Sequence, residues 1–147
     1  LSDCAINHRI SSGFFMKLAS ARLIAADITA MVTYYEMVTC TQAQWLAPVF
    51  AEIVTPSATL AIGALQTVGL FMEGSAESGK NRTAILEFQV EDIDAEYERL
   101  KDRVSILREI QMMPWGNRTF QFRDPEGTLV ALYMPATDEA KARFAKR

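Results

Sequence analysis

Asp27-Ile28-Thr29-Ala30 returns 65 residues later as Asp92-Ile93-Asp94-Ala95, and the organisation of the whole chain follows from that recurrence. An aspartate placed just before an apolar run is a helix N-cap signal, because its carboxylate can accept a hydrogen bond from a backbone N–H that the helix start leaves free. Behind Asp27, the residues Ile28, Met31, Val32 and Tyr35 fall at i, i+3, i+4 and i+7, and behind Asp92 a second stripe runs through Ile93, Tyr97, Leu100 and Val104. Each stripe is one helical face wide and can pack on a sheet. Ahead of each aspartate lies an alternating segment, Lys17 to Ala25 and Thr83 to Val90, with the period of a strand.

The order after each helix also repeats. The first half continues with apolar runs around Trp45, at Phe50 to Thr55 and at Thr59 to Leu65, separated by Pro48 and by Pro56-Ser57. The second continues with Ser105 to Gln111, Thr119 to Arg123 and Thr128 to Met134, the last two joined by Asp124-Pro125-Glu126-Gly127. Proline fixes φ for that turn, Asp124 can bond the backbone beyond it, and Gly127 is free to take positive φ. Thr59-Leu60 lies over Thr128-Leu129 at an offset of 69, and Asp138 to Lys146 reads as a terminal helix. The prediction is an α+β chain with one domain over residues 16–147, made of two βαβββ units at 16–72 and 82–135 and a C-terminal helix.

The totals narrow the function. A chain of 147 residues, half of them apolar, can bury one substantial core. Its formal net charge of -3 argues against phosphate backbones and anionic membrane surfaces, so neither nucleic acid nor membrane is an expected partner. Cys4 and Cys40 are too few for a disulfide framework or a thiolate zinc site, which points to a reducing, cytoplasmic setting. No apolar run approaches the ~20 residues that span a bilayer. Asn7, His8, Arg9 and Ser11 interrupt any signal-peptide core, and residues 1–15 are read as a poorly ordered leader or cloning remnant. The alternative for that segment is an arm that pairs in an oligomer.

A doubled βαβββ unit resembles the vicinal oxygen chelate superfamily of glyoxalases, bleomycin resistance proteins and extradiol dioxygenases. The stretch Trp115-Gly116-Asn117-Arg118-Thr119-Phe120-Gln121-Phe122-Arg123-Asp124-Pro125-Glu126-Gly127-Thr128-Leu129-Val130 carries its Phe-x-Phe-x-Asp-Pro-x-Gly core. Phe88-Gln89-Val90-Glu91-Asp92-Ile93 is similar to the family's strand-to-helix junction, and the resemblance extends from Met16 to Pro135. It implies that each unit curls into a half-barrel whose cupped sheet encloses a ligand site, and that the protein is a homodimer.

The resemblance also implies where a metal would be held: near the start of each unit's first strand, and late in each unit. Those positions are Ser20 and Ile85, then about Ile62 and Ala131. Divalent zinc, iron, manganese or nickel requires imidazole, thiolate or carboxylate, so no metal and no other cofactor is expected. Ile53 to Met72 contains no Asp, Glu, His or Cys, so a slip of a residue or two does not supply a ligand. The single histidine, His8, falls in the leader-like segment.

Strand alternation places Leu18, Ser20 and Arg22, and their counterparts Thr83, Ile85 and Glu87, on the cup side. Arg22 and Glu87 are 65 residues apart, so the pseudo-twofold suggests either a buried ion pair or, for Arg22, a hook for a ligand carboxylate. Trp45, Phe50, Phe71, Trp115 and Tyr133 lie on late strands or rim loops, where they can stack on a planar ligand or act as ordinary core and dimer contacts. Gly74 to Asn81 has the spacing of a phosphate-binding loop but ends in Asn81 and leads into a strand, so nucleotide binding is rejected. The candidate ligand-binding residues are therefore Ser20, Arg22, Trp45, Phe50, Glu87, Trp115 and Tyr133.

Three functions compete. The first is a metal-independent small-molecule binder that sequesters a toxic or antibiotic-like compound. The second is a glyoxalase-, isomerase- or dioxygenase-type enzyme using other residues, with Glu87 as a base if burial raises its pKa. The third is a structural dimer with a collapsed cup, in which Ile62, Ile85 and Ala131 simply pack together.

Overall fold

The two aspartates that organise the sequence do cap helices: Asp27 Oδ1 accepts from the Ala30 backbone N–H and Asp92 Oδ1 from Ala95, each at 3.0 Å. The computed structural model describes residues 16–147. The leader reading of residues 1–15, and His8 and Cys4 with it, lies outside the described residues.

The first unit runs β1 (Ser20–Ala25), α1 (Ile28–Thr39), β2 (Gln44–Ala47), β3 (Phe50–Val54) and β4 (Thr59–Ala64). The second runs β5 (Ile85–Gln89), α2 (Ile93–Leu100), β6 (Ser105–Met112), β7 (Asn117–Arg123) and β8 (Leu129–Pro135), followed by α3 (Asp138–Phe144). Each unit forms its own four-stranded mixed sheet, ordered β1-β4-β3-β2 and β5-β8-β7-β6. In each, the first strand pairs in parallel with the last through the helical crossover, and the remaining neighbours are antiparallel. The chain is thus α+β with no closed barrel.

Both helices turn their apolar stripe inward. Met31, Val32, Tyr35 and Val38 of α1 are buried, as are Ile93 and Leu100 of α2, and they join Ile53 and Ile62 of the first sheet and Phe120, Phe122, Val130 and Leu132 of the second in one continuous core. Burying a side chain of this size contributes about 1.5–3 kcal/mol, which makes the shared core the main adhesive between the units.

Polar contacts orient that adhesive. The second unit holds α1 at both ends. At its N-terminus, Glu126 accepts from the Ala26 N–H at 3.0 and 2.9 Å and from Asp27 N–H at 3.4 Å, placing negative charge where the helix dipole favours it. At its C-terminus, the Arg99 guanidinium donates to the carbonyls of Met37 and Val38, both at 2.7 Å, where positive charge is favoured. Between them, the Tyr35 hydroxyl donates to buried Asp124 Oδ2 at 2.7 Å.

Several boundaries differ from the sequence reading. Thr83 and Ala84 precede the strand because the Asn81 side chain captures their backbone: its Oδ1 accepts from Ala84 N–H at 3.0 Å and its Nδ2 donates to the Ala84 carbonyl at 3.0 Å. A 3₁₀ helix, Leu65–Leu70, follows β4 where no element was expected. The offset between units is 69 at Val54 and Arg123 but 70 at Thr59 and Leu129, because five residues separate Arg123 from Leu129 and only four separate Val54 from Thr59. That single extra residue changes the candidate site.

Candidate functional site

Register assigns each strand residue to one face. Side chains paired across a sheet point the same way, and successive ones point opposite ways. In the first sheet, Ser20, Arg22 and Ile24 share the face away from the helices with Thr59, Ala61 and Gly63 of β4 and with Phe50 and Glu52 of β3. In the second, Ile85, Glu87 and Gln89 share it with Leu129, Ala131 and Tyr133 of β8.

The late position in the first unit is therefore Ala61, not Ile62. Ile62 pairs with Leu23 and Ala51 on the helix-packed face and is fully buried in the core. The sequence alignment carried an offset of 69 through a turn that is one residue longer in the second unit, and a one-residue slip exchanges the faces of a strand. Ile62, Ile85 and Ala131 consequently do not pack together as a collapsed cup. The corrected positions, Ser20, Ala61, Ile85 and Ala131, still offer a metal only a neutral hydroxyl and hydrocarbon. Among the described residues, no three His, Cys, Asp or Glu side chains converge. The metal that many members of this fold carry does not fit this donor set.

Arg22 and Glu87 are not an ion pair. The ion pairs among the described residues are Arg99–Glu96, Lys101–Glu98 and Arg118–Asp94. Although equivalent in the repeat, Arg22 and Glu87 belong to separate sheets. The Arg22 guanidinium instead lies over the Phe50 ring, 4.8 Å from its centroid, and over Phe71, 5.4 Å away. Glu87 is exposed, so it lacks the burial that its reading as a base invoked.

The remaining candidates are dispersed. Trp45 pairs with core-facing Ala51, which puts it on the helix side of the sheet rather than on the cup rim. Trp115 is exposed near α3, and its carbonyl accepts from Arg143 at 3.0 Å. Tyr133 does lie on the cup face, but its ring packs against Phe144 of α3 with centroids 5.4 Å apart. Burial, and then the negative charge of Glu87, push its hydroxyl pKa upward.

Ser20 and Glu87 are brought together by a groove of about 570 Å³. Its walls are the start of β1, the α1 C-terminus, the β3–β4 turn and β5, with Leu60, Leu86, Phe88 and Leu132 supplying apolar surface and Glu96 and Arg99 supplying charge. Arg22, Trp45, Phe50, Trp115 and Tyr133 do not line it. The sequence reading missed Glu52, a cup-facing carboxylate. Its signal was available, since Glu52 lies two residues from Phe50 on one strand.

Two four-stranded mixed sheets, each crossed by one helix and fused through a common core, define a paired βαβββ protein. A family model described as Glyoxalase/Bleomycin resistance protein/Dioxygenase superfamily matches residues 17–132, and the chain belongs to that superfamily. Among solved structures, a protein of unknown function from Agrobacterium tumefaciens str. C58 superposes with a TM-score of 0.72 at 20% identity, covering 82% of this chain and 95% of that one. A family enzyme from Burkholderia phytofirmans PsJN gives 0.71 at 17% identity, covering 82% and 99%. A glyoxalase/bleomycin resistance protein/dioxygenase from Nocardioides gives 0.72 at 19% identity, covering 94% and 95%. At such identities the likeness establishes the fold alone. No curated protein sequence matches the chain. No helix among the described residues is long and apolar enough to cross a membrane.

Proposed function

We propose that this chain is a metal-independent small-molecule binding protein that captures a partly aromatic organic compound, sequestering a toxic or antibiotic-like molecule in the cytoplasm. One observation carries the proposal: the four cup positions where metal-dependent superfamily members place ligands hold Ser20, Ala61, Ile85 and Ala131. Hydroxyl, methyl and butyl groups can shape a cavity but cannot hold a divalent ion. The groove of about 570 Å³, lined by Ser20 but not by Ala61, Ile85 or Ala131, falls within the ~300–1,000 Å³ range of small-molecule sites and combines apolar walls with a few polar groups. An enzyme acting through Glu87 has less support, because the carboxylate is exposed.

A homodimer belongs to the same proposal. Leu46, Leu107, Met112 and Trp115 are exposed apolar side chains that a second copy would cover. The test is a thermal-shift screen of planar antibiotics and aromatic compounds run in EDTA. A compound at a hundred times its Kd stabilises the fold by about 2.7 kcal/mol, enough for a shift of several degrees. Hits in EDTA support the proposal, whereas shifts that appear only with added zinc, iron or manganese overturn it.

A further inference from the structure

The geometry points to Arg22, flanked by Phe50 and Phe71, as an anchor for the carboxylate of an aromatic acid on the cup of the first sheet. This rests on the proposal that the protein binds a small organic compound, and it specifies the chemical class. Four of the other guanidinium groups among the described residues are committed to the fold. Arg99 donates to the Met37 and Val38 carbonyls, Arg118 to Asp94, Arg123 to the Gly127 carbonyl and Arg143 to the Trp115 carbonyl. Arg22 has no hydrogen-bond acceptor and no ion-pair partner among the described residues, yet it alone has two rings from different elements beside it.

Both rings lie within the ~6 Å over which a cation is attracted to an aromatic face. Such contacts restrain a guanidinium without consuming its N–H donors, which project in its plane and match the two oxygens of a carboxylate. The floor beside it is small. Ala61 is its register partner, and Gly63 has no side chain. A Cβ at Gly63 would stand 2.8 Å from Thr67 Oγ1, so glycine leaves room for the Thr67 hydroxyl of the 3₁₀ helix, while Phe50 and Arg22 Cδ lie at contact distances of 3.6 and 3.7 Å from that position. Phe71 is 74% exposed, leaving ring surface free for an aromatic body while the acid group meets Arg22.

Glu52 occupies the same cross-strand row as Arg22, on the far side of Ala61, with two strand spacings of roughly 9–10 Å between their backbones.

The test is calorimetric titration of the full chain with 2-naphthoate and its neutral isostere 2-naphthamide, repeated with Arg22→Met and Phe71→Ala. Expected are naphthoate binding roughly ten- to a hundredfold tighter than naphthamide, loss of that preference in Arg22→Met, and weaker binding of both compounds in Phe71→Ala. The comparison on the unaltered protein stands even if a variant folds poorly. Equal affinity for acid and amide, or an acid preference that survives Arg22→Met, overturns the inference. If no naphthalene compound binds but the thermal-shift screen in EDTA finds another ligand, the anchor assignment fails and the binding function stands. If neither experiment finds a ligand, both fail.

Discussion

Removing one hydroxyl should loosen the two units from each other. Tyr35 lies on α1 and Asp124 in the turn before β8, and their 2.7 Å hydrogen bond is fully enclosed. Asp124 also accepts from the Glu126 and Thr128 N–H groups, each at 2.9 Å, so Tyr35→Phe leaves a buried carboxylate with two of its three donors. A buried hydrogen bond to a charged acceptor contributes about 1.5–3 kcal/mol, and solvent screening is absent, so a loss of about 2 kcal/mol at pH 7 is expected.

The pH dependence makes this prediction specific. Burial, followed by the Asp124 charge and the hydrogen bond, holds the Tyr35 pKa well above its ordinary value near 10. Below pH ~10 the residue is protonated in both states and its stabilisation is complete. Above it the unfolded chain ionises first, so stability falls by about 1.4 kcal/mol per pH unit in the parent and not, from this residue, in Tyr35→Phe. The gap of about 2 kcal/mol should therefore shrink to about 0.6 near pH 11. Urea unfolding followed by the fluorescence of Trp45 and Trp115 measures both values. A gap under 0.5 kcal/mol at pH 7, or one that does not narrow with alkali, would refute the assigned role.

Other variants probe neighbouring joints. Glu126→Gln removes the charge from the start of α1 and should cost about 1 kcal/mol, an effect that urea titration should find reduced at high salt. Cys40 caps α1 with φ at +50°, a left-handed conformation suited to glycine, so Cys40→Gly should stabilise by about 0.5–1 kcal/mol, read as a higher Tm. Gly116 has φ of +92° and lies against Thr137 and Ala140, where a Cβ would collide with the Thr137 hydroxyl. Gly116→Ala should cost more than about 2 kcal/mol and expose the α3 amides to hydrogen exchange, whereas unchanged protection would show that α3 does not depend on this contact.

How much of this was legible in the sequence depended on the range of each interaction. Asp27 and Asp92 announced their helices because a cap acts over three residues, and the apolar stripes behind them named the buried faces. The Asp-Pro-Glu-Gly turn was readable as a turn for the same reason. Its second role was not: Glu126 reaches 100 residues back to Ala26 and Asp124 reaches 89 back to Tyr35, and a local function already accounted for both side chains. Ile62 was misplaced by a difference of one residue in turn length, which an offset between repeats cannot detect but strand register reports at once. The Arg22–Glu87 pair failed because equivalence in a repeat does not imply proximity when each unit keeps its own sheet. Arg22 was a candidate and Phe71 only one of the rim aromatics, because the unexpected 3₁₀ helix is what carries the ring to the guanidinium.

Everything proposed about function turns on what Ser20, Ala61, Ile85 and Ala131 cannot hold. Elemental analysis of protein purified without chelator and dialysed against metal-free buffer addresses this directly. Zinc, iron, manganese and nickel should together stay far below one equivalent per chain. One full equivalent of any of them, retained through dialysis, would contradict capture by a metal-free cup and return the chain to the metal-dependent chemistry of its superfamily.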